Sequence, residues 1–167
     1  MSFFKECIDI ISAMELDAEY QKFEEAFNSH HRFIIIGNGG SNSIASHMSQ
    51  DFVKRSGKRS LSFSDPSMLT CFMNDYGVDE AYRKFLEFYS DSDTMVILIS
   101  SSGKSKNILN CVEFCKDSGI DYGVLSAFDS DNPLRTVSDT AKFNYYVDTH
   151  DYGVAECMHQ LFLHAIV

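Results

Sequence analysis

Two histidine–carboxylate sets and two serine-rich loops carry the side chains that could do chemistry in this chain. His47, Asp51 and Arg55 follow one another at four-residue steps, which puts them on one face of a helix. Near the end, Glu156, His159, Gln160 and His164 repeat at three- and four-residue steps. Histidine and carboxylate on two converging helices can form an acid–base pair or hold a metal. The same spacings also suit a solvated ladder of charges, or histidines on a surface or in a core, so neither set decides alone. The loops say more. Arg32-Phe33-Ile34-Ile35-Ile36 runs into Gly37-Asn38-Gly39-Gly40-Ser41-Asn42-Ser43, and Thr94-Met95-Val96-Ile97-Leu98-Ile99 runs into Ser100-Ser101-Ser102-Gly103-Lys104-Ser105. Each is a buried-strand pattern followed by small and hydroxyl residues and then a helical pattern. Such a loop turns backbone N–H groups and hydroxyls toward an anion, with a helix dipole behind them. Two in successive units point to a phosphorylated small molecule. Neither matches a nucleotide fingerprint: the first lacks the third glycine of Gly-x-Gly-x-x-Gly, and the second lacks the opening glycine of a Walker A loop.

These residues need a scaffold, and the chain is large enough for one. Its 167 residues, 44% of them apolar, suit one domain with a full core. The net charge of −10 argues against nucleic acid or an anionic membrane as partner. An anionic substrate must then be held by local features against the global field. The five cysteines are odd in number and form no Cys-x-x-Cys pair, which predicts reduced thiols and a cytoplasmic protein. Cys111 and Cys115 are expected to face the core. The first residues show no leader pattern, and no apolar run reaches membrane-spanning length.

The spacing of Phe4, Ile8, Ile11, Leu16, Tyr20, Phe23 and Phe27 predicts a helix over 2–29. Strands are expected at 32–36, 60–64, 94–99, 122–126 and 143–147. Helical patterns fall at 42–55, from Asp65-Pro66-Ser67 onward with a break at Asp75-Tyr76-Gly77, at 105–118 until Gly119, in one turn at 132–138, and from Tyr152 to the end. Alternating units of this kind predict an α/β fold, a three-layer α-β-α sandwich around a five-stranded parallel sheet. Ligands then bind beyond the carboxyl ends of the strands, where both loops lie.

With these elements in order, the chain resembles a known family. Gly37-Asn38-Gly39-Gly40-Ser41, then His47 and a carboxylate four residues on, is similar to the sugar isomerase (SIS) domain of phosphoheptose isomerases, a flavodoxin-like fold. Ser64-Asp65-x-Ser67, Asn74-Asp75-Tyr76-Gly77, Ser100-Ser101-Ser102-Gly103-x-Ser105 and a last helix with Glu156 and His164 eight apart resemble its other motifs. The resemblance implies a single SIS domain over 1–167, with residues 1–29 for oligomerisation and 30–167 as the phosphosugar-binding core. It implies substrate contacts from Asn38, Gly39, Gly40, Ser41, Ser100, Ser101, Ser102 and Ser105, with Arg55 and Asp75 lining the site. Asp51 stands where the family has its glutamate base and His164 where it has its histidine acid. Some members bind zinc through residues matching His47, Asp51, Glu156 and His164. The implied activity is isomerisation of sedoheptulose 7-phosphate through an enediol, in a homotetramer with sites at subunit interfaces, for bacterial heptose synthesis. The competing expectation is a non-catalytic sugar-phosphate sensor or protein-docking module on the same fold. Two departures bear on that choice: Asp51 is one methylene shorter than glutamate, and Glu156 replaces a frequent glutamine.

Overall fold

The computed structural model describes residues 2–14 and 17–167. Helix α1 spans Phe3–Met14 and α2 spans Ala18–Ser29, so the helix expected over 2–29 is two helices. Asp17 between them has extended backbone, and its carboxylate accepts the Glu19 N–H at 2.7 Å. That cap starts a new helix and competes with continuation of the first. The apolar period crosses the break because Met14 of α1 and Phe23, Ala26 and Phe27 of α2 join one core. Leu16, counted in that period, lies outside the described residues.

The remaining elements follow the expected order: β1 Arg32–Gly37, α3 Gly40–Ser56, β2 Arg59–Ser62, α4 Pro66–Tyr76, α5 Ala81–Tyr89, β3 Thr94–Ser100, α6 Lys106–Ser118, β4 Asp121–Ala127, α7 Pro133–Val137, β5 Asn144–Val147 and α8 Tyr152–His164. Asp65 caps α4 through the Met68 N–H at 2.8 Å, with Pro66 in the first turn. Asp151 caps α8 through Val154. The second strand is shorter than expected at its far end. Phe63 is buried beyond it, its ring stacked on Phe85 at 4.3 Å.

All strand pairs are parallel, in the order β2-β1-β3-β4-β5. Alternate residues of the central strands feed two separate cores. Phe33, Ile35, Met95, Ile97 and Ile99 meet α2, α3 and α8 on one face. Ile34, Ile36, Val96 and Leu98 meet α5 and α6 on the other. This is the three-layer sandwich, and it explains why β1 and β3 read as unbroken apolar runs. Cys111 and Cys115 are buried in the second core, where burial pushes the Cys115 thiol up to about 12. No helix among the described residues is long and apolar enough to cross a membrane.

Candidate active site

β1 and β3 are neighbours, but the chain leaves them toward opposite edges of the sheet. The crevice where strand order reverses is the usual ligand site of such a sheet. Both small-residue loops open there. They enclose a cavity of about 160 Å³ lined by Asn38, Ser41, Ile99, Ser100, Ser101, Ser102, Ser105, Tyr152 and Glu156.

Apart from Asn38, the cavity is held by side chains that sequence reasoning did not assign to the site. Asn38 and the buried Asn107 exchange two amide hydrogen bonds, each 3.0 Å, tying the first loop to α6. The Tyr82 hydroxyl donates to Gly37 O at 3.2 Å from the opposite layer. The second loop is braced by Asn132. Its amide donates to Ser126 Oγ and to the carbonyls of Ala127 and Asp129, while its oxygen accepts the Arg135 N–H. Gly103 packs against it: a Cβ there would fall 1.9 Å from Asn132 Oδ1, and its φ is +64°. Asn132-Pro133 carries the same cap-plus-proline signal as Asp65-Pro66. Asn107 has no local signal.

Two features of the second loop bear on anion binding, although the Ser105 hydroxyl itself accepts from Ser100 Oγ at 3.3 Å. Ser101 Oγ is buried and unbonded. Ser105 is the N-cap of α6, yet its side chain makes no capping bond. A buried hydroxyl without a partner is costly, and an uncapped helix start attracts anions. Lys104 points away, onto exposed Asp129 at 3.0 Å.

A second cluster lies beside the cavity. On α3, Ile44, Ala45, Met48 and Phe52 face the core, leaving His47 and Asp51 on the adjoining face. His164 of α8 comes to them. Asp51 Oδ2 is 3.7 Å from His47 Nε2 and 3.6 Å from His164 Nδ1, and the two rings stand 5.1 Å apart. Arg55 flanks Asp51 at 3.9 Å and donates to the Val167 carbonyl at 2.9 Å. The Gln160 amide nitrogen lies 3.3 Å from His164 Nε2, within hydrogen-bonding reach on the side of the ring away from Asp51. Burial first and His47 second lower the pKa of His164, against the pull of Asp51, so the ring is neutral near pH 7.

One ligand atom each from His47, Asp51 and His164 lie within 4.8 Å of one another. Two imidazoles and a carboxylate are a donor set that zinc accepts, with a position left open. Glu156, the fourth expected ligand, is not in this group. Its carboxylate lies against Gly40, where an added Cβ would sit 2.3 Å from Oε1. It faces the serine cavity, and Gln160 separates it from His164 along α8. Gly39 borders the open groove beside His47. Asp75 is exposed at the end of α4, bonded to Asn74, and lines neither space within one chain.

No family model matches the chain. Similarity to individual proteins is clear. A phosphoheptose isomerase of Helicobacter pylori strain P12 is 32% identical over 148 residues, covering 85% of this chain and 75% of that protein. One from Fusobacterium nucleatum is 38% identical over 111 residues, and the matched part spans 57% of its length. The structure of phosphoheptose isomerase from Neisseria gonorrhoeae superposes with a TM-score of 0.87 at 23% identity, over 98% of this chain and 91% of that one. The NanR protein of Vibrio vulnificus, solved with ManNAc-6P, shares the fold more loosely, with a TM-score of 0.68 at 14% identity, over 98% of this chain and 60% of that one. The identity and coverage of the Helicobacter relative show that the chain belongs to the phosphoheptose isomerase family.

Proposed function

We propose that this chain interconverts sedoheptulose 7-phosphate and an aldoheptose 7-phosphate. One observation carries the reading: a single stripe of α8 joins Glu156, in the serine cavity, to His164, 3.6 Å from Asp51. Binding groups and a proton-transfer pair thereby share one rigid element.

The phosphate belongs at Ser101, Ser102 and Ser105, where hydroxyls and the uncapped start of α6 favour an anion. It must sit away from Glu156, whose charge repels it. Glu156 and Asn38 then meet sugar hydroxyls, which donate to a carboxylate or share hydrogen bonds with an amide. Phosphate binding at a centre that does not react positions the carbons that do. Asp51 takes a proton from C1 of the ketose and leaves an enediolate. His164 gives a proton to the oxygen on C2 and recovers one from the oxygen on C1. Asp51 returns its proton to C2, which yields the aldose. His47, Asp51 and His164 would hold a zinc ion in this reading. Bound there, it would supply Lewis-acid polarisation of the carbonyl and the neighbouring hydroxyl.

A homotetramer is part of the proposal. Supporting it, α1 leaves Phe4 77% and Ile8 60% exposed, beside an apolar cavity lined by Ile11, Met14, Tyr20, Leu161 and Ala165. Assembly would also bring residues such as Asp75 toward a neighbour's site. We place the enzyme in the cytoplasm.

The deciding experiment is turnover of sedoheptulose 7-phosphate by the purified chain, with and without Zn²⁺, beside Asp51→Glu. Isomerisation supports the reading. Sugar-phosphate binding without turnover in both proteins, under both conditions, would move the chain to the sensor class. A monomer by light scattering would overturn the tetramer.

A further inference from the structure

Among the described residues, Phe128 is the one non-glycine residue with positive φ, at 67°. A bulky side chain is strained in that region, and glycine would remove the strain. The backbone around it is pinned. Its N–H donates to Thr149 O at 3.0 Å, and its carbonyl accepts the Tyr146 hydroxyl at 2.7 Å. The preceding Ala127 N–H donates to Ser101 O of the serine loop at 2.8 Å. The ring stacks on His150 at 5.8 Å and meets the Tyr152 ring edge-on at 4.6 Å. Tyr152 lines the serine cavity next to Glu156, although 60% of its surface is open.

These contacts give the strained residue a task. The cavity is polar on most sides, with Ile99 its other apolar wall. A sugar phosphate presents C–H faces between its hydroxyls, and serines offer no surface for them. A tyrosine ring offers a flat apolar face and little conformational freedom to lose. We propose that Tyr152 is the outer wall of the sugar pocket, packing on the carbon chain, and that Phe128 is a positioning residue holding Tyr152 in place. Strained residues persist where their neighbours fix them, often beside functional sites. The inference rests on reading the cavity as a sugar-phosphate site.

The test is a four-variant kinetic and melting study with sedoheptulose 7-phosphate: Tyr152→Ala, Tyr152→Phe, Phe128→Gly, and the Phe128→Gly/Tyr152→Ala double. Tyr152→Ala, altering an exposed side chain, should fold normally and raise KM about two- to twelvefold with kcat little changed. Tyr152→Phe should recover most of that loss. Phe128→Gly should raise KM similarly, and the double variant should be no worse than either single, since both act through one ring. An unmoved KM in Tyr152→Ala, or additive losses in the double variant, would overturn the inference while an active wild type leaves the function standing. A wild type that neither binds nor turns over the sugar would overturn both.

Discussion

The serine cavity and the His47–Asp51–His164 cluster sit side by side and are built in opposite ways. The cavity is braced by paired amides, by Asn132 and by loop backbone, and its walls include buried Ser41, Ser100 and Ser101. The cluster makes no close internal bond. Its polar side-chain atoms stand 3.6–3.9 Å apart, and the His47 side chain is 50% exposed. A group that grips a constant moiety can be fixed in advance. Groups that must trade protons have to keep unsaturated positions facing the reactant. In the proposed function, binding and chemistry are therefore expected to be separable by mutation.

The largest separation should come from Asp51→Asn. It should lower kcat by at least ~10²-fold while sugar-phosphate affinity stays near wild type, read by steady-state kinetics beside calorimetric titration. Equal losses in both would mean that the two regions are not distinct. Gly103→Ala attacks the bracing. Its Cβ meets Asn132 at a positive φ, so the variant should lose about 3 kcal/mol in denaturant unfolding and weaken phosphate binding. Ser102→Ala and Ser105→Ala should each lose about 1.5–3 kcal/mol of phosphate affinity with kcat retained, the mirror image of Asp51→Asn. The smallest effect tests what lies behind both regions. His159, fully buried on α8, donates from Nε2 to Ser126 O at 3.1 Å, and burial pushes its pKa down to about 4. The unfolded chain binds that proton near pH 6.5, so this group costs stability as pH falls below 6.5, until about 4. The loss should be about 1.4 kcal/mol by pH 5.5. His159→Gln should flatten that part of the stability profile.

The sequence makes some of these features plain and hides others for physical reasons. The central strands β1 and β3 are legible because parallel strands buried on both sides are apolar throughout, the edge strands β2 and β5 only as short alternating runs, and Gly119 and Asp65-Pro66 mark helix ends. The His47/Asp51 pair is legible from helical spacing. Its meeting with His164 needed a resemblance, since no local pattern records which helices touch. The division at Asp17 was hidden because the apolar period is common to both helices. Glu156 was expected with the metal ligands because the resemblance implied it, and an eight-residue spacing keeps it on the broad stripe of α8 that carries His164. A stripe has length, however, and Glu156 sits at the far end of it. Asn107, Gly103 and Phe128 act through contacts distant in sequence, and a phenylalanine gives no sign that it will adopt a left-handed backbone.

That stripe makes α8 a ruler. Eight residues of helix rise about 12 Å, and each residue turns the side chain by about 100°. The separation between Glu156 and His164 is therefore set by residue count alone and stays constant however the loops adjust. One residue inserted between them, at a point that leaves the caps and core contacts of both ends intact, would lengthen the span by about 1.5 Å and swing His164 a quarter-turn away from Asp51. Loop changes can retune what the pocket holds, but in this reading the gauge between grip and reaction centre is fixed by the number of helical residues between them.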